Sequence, residues 1–260
     1  MKKSDNLEQN NKIQDEWWEP SSLVKSEKSI KEINDIKELD LKNDFGSYRH
    51  VILTGNIESG ELKLHNDVMP EAKISMLGKV IRTKSPGAIL DAGCGMGYTT
   101  NALAKNYPNA KVLGVDISSD AIEFAASKYP QAKFMATAIT PGNQLLEKFD
   151  LIYCFEFYPF TRNADVEKQS AFINYLTDHL NDQGELVIYQ KWDNPLSLSA
   201  VLCGVEQSCV NLNFTRVGIP HHKIYKFLPS VKLANLMSFI IRKLWEKQWI
   251  NQILIITKKN

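Results

Sequence analysis

One stretch of the sequence, "AILDAGCGMGYTTNALA" from Ala88 to Ala104, constrains the fold of this chain more than any other. It starts as an apolar run typical of a buried strand, continues with three glycines within five residues, and ends in a segment with helical character. Glycines placed this closely between a strand and a helix indicate that a ligand approaches the backbone. The class of ligand that this loop holds is therefore the main question for the function of the chain.

The segments on both sides of this loop alternate between strand and helix. Strands are predicted at residues 87–92, 111–117, 132–137, 149–155 and 184–191, and near "FTRVGIP" and "WINQILIIT". Helices are predicted at residues 97–107, 119–129 and 164–181. The first five strands are nearly continuous apolar runs, typical of a sheet covered on both faces. The pattern predicts an α/β fold, a doubly wound (Rossmann-like), mostly parallel seven-stranded sheet that holds its ligand beyond the carboxyl ends of its strands.

The chain divides into an N-terminal extension, residues 1–46, and one domain, residues 47–260. The extension is polar and highly charged, so we expect it to be partly disordered or to form a helical lid. Trp17 and Trp18 lie side by side in it and need a surface to cover them, so they either dock on the domain or close over its ligand. A helical insert is predicted near 229–247, and its stretch "LMSFII" is apolar nearly all round, which indicates burial against the core.

The composition is that of a globular protein and argues against several classes of partner. A formal net charge of +1 creates no field that would attract nucleic acid or an acidic membrane. The four cysteines form no CxxC pair, which argues against a zinc site or a disulfide framework. The polar residues 1–22 do not resemble a secretion signal, and apolar runs stay shorter than the roughly 18–20 residues that span a bilayer. We expect a cytoplasmic protein with no bound metal, no membrane span and no nucleic acid partner, and a homo-oligomer stays open.

The spacing of the loop glycines separates two classes of ligand. Dinucleotides place a pyrophosphate over the spacing G-x-G-x-x-G, whereas Gly93, Gly95 and Gly97 form G-x-G-x-G. Asp91 stands at the end of the strand, where its charge would repel a pyrophosphate and attract an ammonium group. Asp116, at the end of the second strand, can accept hydrogen bonds from both hydroxyls of a ribose. The loop therefore favours a ribose-containing ligand that also carries a positive charge.

The motifs "ILDAGCGMG", "VLGVDIS" and "FDLIYC" stand in the order and spacing of the class I S-adenosylmethionine-dependent methyltransferases, which the chain resembles over roughly residues 70–192. The resemblance implies S-adenosylmethionine (SAM) as cofactor, with the three glycines under its methionine part, Asp91 reaching its amino group and Asp116 holding its ribose. It also implies cofactor contacts from Arg49, Cys94, Ile117, Thr137, Ala138, Ile139 and Phe155. The family often has an acid after the third strand for the adenine. This chain has "FMATAIT" there, so backbone groups and apolar contacts would hold the adenine.

Methyl transfer from a sulfonium is an in-line displacement, so the protein has to orient the acceptor and, for an acceptor of high pKa, remove its proton. The candidates lie in "GSYRHV" before the domain core, in "CFEFYPFTR" after the fourth strand and in "PHHKIYK" near the C-terminus. The predicted catalytic residues are Tyr48, His50, Glu156, Tyr158, Arg162 and His221. An ion pair with Arg162 is the alternative role for Glu156, and simple packing is the alternative role for Tyr158.

A basic rim around this region predicts an anionic acceptor. Its members are Arg49, Arg162, Lys191, His221, His222 and Lys223. The phrase "EFYPFTR" also resembles, more faintly, methyltransferases of bacterial capsule and surface-polysaccharide synthesis. That resemblance implies a phosphorylated or sugar-nucleotide acceptor.

The sequence alone also leaves other functions as alternatives. An NAD-dependent oxidoreductase is one alternative, although Asp91 and the glycine spacing argue against it. A non-catalytic SAM-binding regulatory subunit is another, for which the absent adenine acid leaves room. A DNA amino methyltransferase is disfavoured because the "NPPY" or "DPPY" tetrad is absent after the fourth strand.

Overall fold

The computed structural model describes residues 68–142, 147–190, 197–220, 232, 233, 236, 240 and 250–259. The predicted lid in residues 1–46 and the predicted domain boundary after it lie outside the described residues and stay predictions.

Helices and strands alternate along most of the described chain. They are α1 (Val68–Val80), β1 (Ala88–Ala92), α2 (Tyr98–Asn106), β2 (Lys111–Asp116), α3 (Ser119–Lys128), β3 (Lys133–Ala136), β4 (Phe149–Phe155), α4 (Tyr158–Arg162), α5 (Val166–Asp178), β5 (Leu180–Tyr189), α6 (Leu198–Ser208), β6 (Leu212–Pro220) and β7 (Ile250–Lys258).

The seven strands form one sheet in the order β3-β2-β1-β4-β5-β7-β6. Strands β1 to β5 pair in parallel, while β7 runs antiparallel to both β5 and β6. The Rossmann-like fold and its seven strands are confirmed, and the sheet is mixed rather than wholly parallel. The winding reverses between β1 and β4, and at such a point the carboxyl ends of the strands leave a crevice for a ligand.

Two apolar layers cover the sheet, which explains why the strands read as continuous apolar runs. Side chains of α1 and α2 pack on one face with Ile89, and side chains of α4, α5 and α6 pack on the other with Leu90. The same alternation holds in β5, where Val187 belongs to the first layer and Leu186 to the second.

The prediction of one helix over residues 164–181 is wrong at its C-terminal end. Helix α5 stops at Asp178, and β5 begins at Leu180 instead of at residue 184. The Phe149 amide donates to the His179 carbonyl oxygen at 2.9 Å, and Leu180 pairs with Phe149 across an irregular register. Tertiary pairing with β4 therefore overrides the helical pattern of this segment.

The predicted helical insert is described at four residues, and all four are helical. Leu236 and Ile240, both within "LMSFII", are 54% and 38% exposed. The prediction that this stretch is buried against the core is therefore wrong at these two positions. No helix among the described residues is long and apolar enough to cross a membrane.

Asp150 links the amino-terminal ends of β1, β4 and β5 through hydrogen bonds. Its Oδ2 accepts hydrogen bonds from the amides of Gly87 (2.7 Å) and Ala88 (3.0 Å), and its Oδ1 accepts one from Asn181 Nδ2 (2.6 Å). Partial burial opposes ionisation, but the donors from Asn181, Ala88 and Gly87 outweigh it and lower the pKa of Asp150 below its ordinary value. The charged form therefore stabilises the folded state.

We predict that Asp150→Ala lowers the free energy of unfolding by about 1–3 kcal/mol at pH 7, because three donors lose their acceptor. Since the folded pKa is depressed, this contribution is present above the ordinary pKa of aspartate and is lost as the pH falls through the folded pKa. Urea unfolding at pH 7 and at about pH 2.5 measures the difference. Asp150→Asn, which keeps one oxygen acceptor, is the control and should lose less at pH 7. An equal deficit for Asp150→Ala at both pH values would contradict the assignment.

Candidate functional site

The candidate site lies at the carboxyl ends of β1, β2 and β4, where the winding reverses. The loop after β1 carries three glycines with positive φ, which are Gly93 (73°), Gly95 (50°) and Gly97 (78°). Backbone of this kind is strained for residues with a side chain, so glycine is favoured at each of the three positions.

The three glycines serve two different purposes. A Cβ atom on Gly93 would lie 2.6 Å from the ring of Phe157, and one on Gly97 would lie 2.9 Å from the ring of Phe134. A Cβ atom on Gly95 would meet nothing within 4 Å. Gly93 and Gly97 therefore let aromatic rings pack against the loop, whereas Gly95 faces open space into which a ligand can approach.

The loop is held to the end of β2 by hydrogen bonds from its own amides. The amides of Gly93 and Cys94 donate to the Val115 carbonyl oxygen at 2.8 and 3.0 Å, and the amide of Gly95 donates to Asp116 Oδ2 at 2.8 Å. A phosphate cradle needs such donors turned towards the ligand. In this loop they are turned towards protein acceptors.

Asp116 is the acceptor on which the loop and the next helix converge. Besides the Gly95 amide, it accepts a hydrogen bond from the Ser118 amide at Oδ1 (2.9 Å). Burial raises the pKa of Asp116 above its ordinary value, and the amides of Ser118, Gly95 and Ile117 counteract this shift. Each carboxylate oxygen has more than one acceptor site, so the group can accept further donors from a ligand.

Asp91 is 1% exposed and lies on the side of the sheet covered by α2. Its Oδ2 accepts a hydrogen bond from Thr100 Oγ1 at 2.6 Å. The pKa of Asp91 is raised to about 7, because burial and, to a smaller extent, the negative charge of Asp116 outweigh the opposing effect of the Thr100 hydrogen bond. Thr100 was not among the predicted site residues. Its place in the first turn of the helix after the glycines is the sequence signal that points to it.

The predicted adenine side lies at the ends of β2 and β3. The Thr137 amide donates to the Asp116 carbonyl oxygen at 2.9 Å, which holds the two strand ends together. Ala138 and Ile139 are each 4% exposed, and Ile117 is half-buried. These residues lie where the sequence predicted them, and their contact with adenine stays a prediction.

Phe155, at the end of β4, belongs to a cluster of aromatic rings and one cation. Its ring centroid lies 6.4 Å from that of Tyr153 and 5.0 Å from that of Tyr189. Lys73 Nζ, from α1, lies 4.2 Å from the Phe155 ring centroid and 4.8 Å from the Tyr189 centroid. This geometry is a cation–π interaction and fixes a positive charge at the ends of β4 and β5. Lys73 was not among the predicted site residues, because only the tertiary fold brings α1 to β4.

The segment after β4 combines an exposed acid with a strained backbone. Glu156 is exposed and has φ of +50°, which is unusual for a residue with a side chain. Its amide donates to the Tyr189 carbonyl oxygen at 2.8 Å and thereby ties the ends of β4 and β5 together. Tyr158 and Arg162 are the first and last residues of α4. The predicted ion pair between Glu156 and Arg162 stays a prediction.

The Cys94 thiol is buried, and its Sγ donates to the Gly95 carbonyl oxygen at 3.7 Å. Burial is the largest cause that raises the pKa of Cys94 far above its ordinary value, with the charges of Asp91 and Asp116 adding to it. The thiol therefore stays protonated and serves as a packing group. The other predicted residues, Tyr48, Arg49, His50, Lys191, His221, His222 and Lys223, lie outside the described residues.

Comparison with known proteins identifies the family. A family model described as a methyltransferase domain matches residues 83–252, which is more than half of the chain. Among curated proteins, the chain is 37% identical over 67 residues to the trans-aconitate 2-methyltransferase of Rhodopseudomonas palustris, a match that covers 24% of this chain and 26% of that protein. The chain thus spans about a quarter of the length of this relative.

Two solved structures share the fold. The magnesium protoporphyrin IX methyltransferase of Synechocystis, solved with bound SAM, is 17% identical with a TM-score of 0.55, and the match covers 92% of this chain and all of that one. A TehB-like SAM-dependent methyltransferase from Corynebacterium glutamicum is 20% identical with a TM-score of 0.52, and the match covers 78% and 95% of the two chains. Likeness at this identity concerns the fold alone.

The two roles of the loop glycines predict different effects of alanine. Gly93→Ala should lower the free energy of unfolding by about 3 kcal/mol or more, because strain from the positive φ adds to a clash with Phe157. Gly95→Ala should cost only about 1–2 kcal/mol, since strain acts there without a clash. Urea unfolding of both variants beside the wild type measures the difference. Equal losses in the two variants would contradict the division of roles.

Proposed function

The chain belongs to the methyltransferase-domain family, and we propose that it transfers the methyl group of SAM to an anionic small molecule. The family confirms the enzyme class predicted from the sequence. The observation that carries the proposal is the open face of Gly95 beside the Asp116 carboxylate, with the buried Asp91 one strand away. Two carboxylates at one crevice suit a ligand that brings positive charge.

The residues at this crevice fit the chemical groups of SAM. Asp116 would accept hydrogen bonds from the ribose hydroxyls, the open face of Gly95 would admit the methionine part, and Asp91 would attract the ammonium group. Ile117 and Ile139 would contact the adenine. When bound, SAM supplies an activated methyl group.

An NAD-dependent oxidoreductase fits the same crevice poorly. Three loop amides already donate hydrogen bonds to Val115 and Asp116, so they are not available to a pyrophosphate; they belong to Gly93, Cys94 and Gly95. The same two carboxylates would repel its negative charge. The loop therefore supports a cationic ligand over a dinucleotide.

Lys73 supports an anionic acceptor. Lys73 is half-buried, and its ammonium lies over the rings of Phe155 and Tyr189, at the strand ends next to the cofactor side of the crevice. Curated relatives include trans-aconitate 2-methyltransferases and a malonyl-[acyl-carrier protein] O-methyltransferase, whose substrates are acids by name. We take a carboxylate as the first candidate for the acceptor. A carboxylate is already ionised near pH 7, so the site acts on it by orientation.

A phosphorylated or sugar-nucleotide intermediate of capsule synthesis is the second candidate. The phrase "EFYPFTR" and the predicted basic rim favour it. An acceptor hydroxyl on such a molecule needs a base, for which His50, Glu156 and His221 are the candidates. Tyr158 and Arg162 would then orient the anion. A cytoplasmic location is part of the same proposal, since nucleotide-linked intermediates are made there.

Cofactor binding should depend on pH through Asp91. Its pKa is about 7, so the carboxylate is neutralised as the pH falls below 7 and loses its attraction for the SAM ammonium. Affinity for SAM, measured by calorimetry between pH 5.5 and 7.5, should therefore fall towards the acid end by about tenfold. Asp91→Asn should bind SAM more weakly at pH 7.5 and show a flat profile. A wild-type protein that binds NAD and not SAM would overturn the cofactor assignment.

The acceptor class is tested by the release of S-adenosylhomocysteine with a panel of carboxylates, phosphorylated sugars, neutral amines and catechols. We expect turnover with anions, and we expect Lys73→Met to raise the acceptor KM by about tenfold with unchanged affinity for SAM. Lys79→Met, an exposed lysine of the same helix, is the matched control and should behave like the wild type. Turnover confined to amines or catechols would overturn the anionic acceptor.

A further inference from the structure

Gln190 follows directly after the last residue of β5 and is fully buried. Neither its Nε2 nor its Oε1 has a hydrogen-bond partner in the structure. A buried amide that lacks partners destabilises a folded protein, so such a group needs an explanation. Among the buried side chains of the described residues, Gln190 is the one amide that is unpaired at both of its polar atoms.

A second buried glutamine shows how a structural amide behaves in this fold. Gln169 is also fully buried, and its Nε2 donates to the carbonyl oxygens of Pro159 and Asn163. These two bonds hold the segment around α4 against α5. Gln190 makes no such link, which argues against a structural role for its amide.

Gln190 lies at the edge where an acceptor has to bind. The residue before it, Tyr189, accepts the hydrogen bond from the Glu156 amide and packs its ring against Phe155 beneath Lys73. Gln190 is therefore the next residue beyond the point at which the carboxyl ends of β4 and β5 are tied together. In a sheet of this topology, ligands bind outside these strand ends.

The alternation of β5 indicates the face on which the amide lies. Leu186 and Ile188 belong to the layer formed with α4, α5 and α6, whereas Val187 and Tyr189 belong to the opposite layer. Continued by one residue, this alternation puts Gln190 on the side of Ile188. Lys73 and Gln190 thus approach the strand ends from opposite faces of the sheet.

We propose that the Gln190 amide hydrogen-bonds the methyl acceptor and determines its specificity. Nε2 donates to an anionic oxygen of the acceptor, and Oε1 accepts from a hydroxyl or amide N–H beside it. The acceptor class is therefore an anionic small molecule with a hydroxyl or amide N–H next to its charged group. This inference rests on the proposed function and narrows its substrate class.

The test compares paired anions, of which one member carries a hydroxyl next to its charged group and the other does not. The pairs are malate and succinate, citrate and tricarballylate, and glucose 1-phosphate and cyclohexyl phosphate, each tried with SAM and wild-type protein. We expect kcat/KM to be at least about tenfold higher for a donor-bearing member of the panel than for its matched partner. In Gln190→Met this preference should fall to about one, with unchanged affinity for SAM. The carboxylate and phosphate pairs also separate the two kinds of anion.

A stability measurement gives a readout that does not depend on turnover. Gln190→Met removes an unpaired buried amide, so the thermal midpoint of the ligand-free protein should stay the same or rise. Gln169→Met, the matched control, should lower the midpoint because two hydrogen bonds are lost. A midpoint of Gln190→Met that falls as far as that of Gln169→Met would show a structural partner and overturn the inference.

The outcomes separate this inference from the proposed function. Wild-type protein that fails to bind SAM in calorimetry overturns the proposed function itself. Protein that binds SAM but turns over no donor-bearing anion, or prefers none to its matched partner, overturns the inference about Gln190 and leaves the cofactor assignment standing. A preference for the donor-bearing anions that persists unchanged in Gln190→Met also overturns the inference about Gln190 and leaves the cofactor assignment standing.

Discussion

The bond from the Gly95 amide to the Asp116 carboxylate organises the cofactor side of this molecule. Together with the two amides that donate to Val115, it holds the loop after β1 against the end of β2. The loop leads directly into α2, from which the Thr100 hydroxyl donates a hydrogen bond to the buried Asp91 carboxylate. The hydrogen bonds of the loop amides thus bring an open glycine and two carboxylates together in a single crevice.

Charge is divided along this crevice. At the ends of β1 and β2, Asp91 and Asp116 are close enough for the charge of Asp116 to raise the pKa of Asp91, so a positively charged ligand relieves their repulsion. At the ends of β4 and β5, Lys73 holds a positive charge over Phe155 and Tyr189. Under the proposed function, a cationic methyl donor and an anionic acceptor are each attracted to a different half of the crevice.

The parts of this structure that could be predicted from the sequence are those set by local pattern. The apolar runs locate β1 to β4 closely, and the glycine loop with Asp91 and Asp116 identifies the crevice, because each lies at a strand end that the pattern defines. The start of β5 could not be predicted, since pairing with Phe149 decides it. Lys73 and Gln190 could not be predicted either. Lys73 reaches the site through the packing of α1, and Gln190 is identified only by the absence of hydrogen-bond partners for its buried amide.

The ends of β4 and β5 carry two features that cost free energy in the ligand-free protein. Glu156 has a left-handed backbone conformation, and the amide of Gln190 is buried and unpaired. The hydrogen bond from the Glu156 amide to the Tyr189 carbonyl oxygen links the two segments. Strain and unpaired polar groups persist where the surrounding structure imposes them, and they are concentrated at functional sites. A ligand that satisfies the Gln190 amide recovers part of this free energy on binding. Under the proposed function with a carboxylate acceptor, this half of the site orients an acceptor that is already ionised, and no proton has to be removed from it.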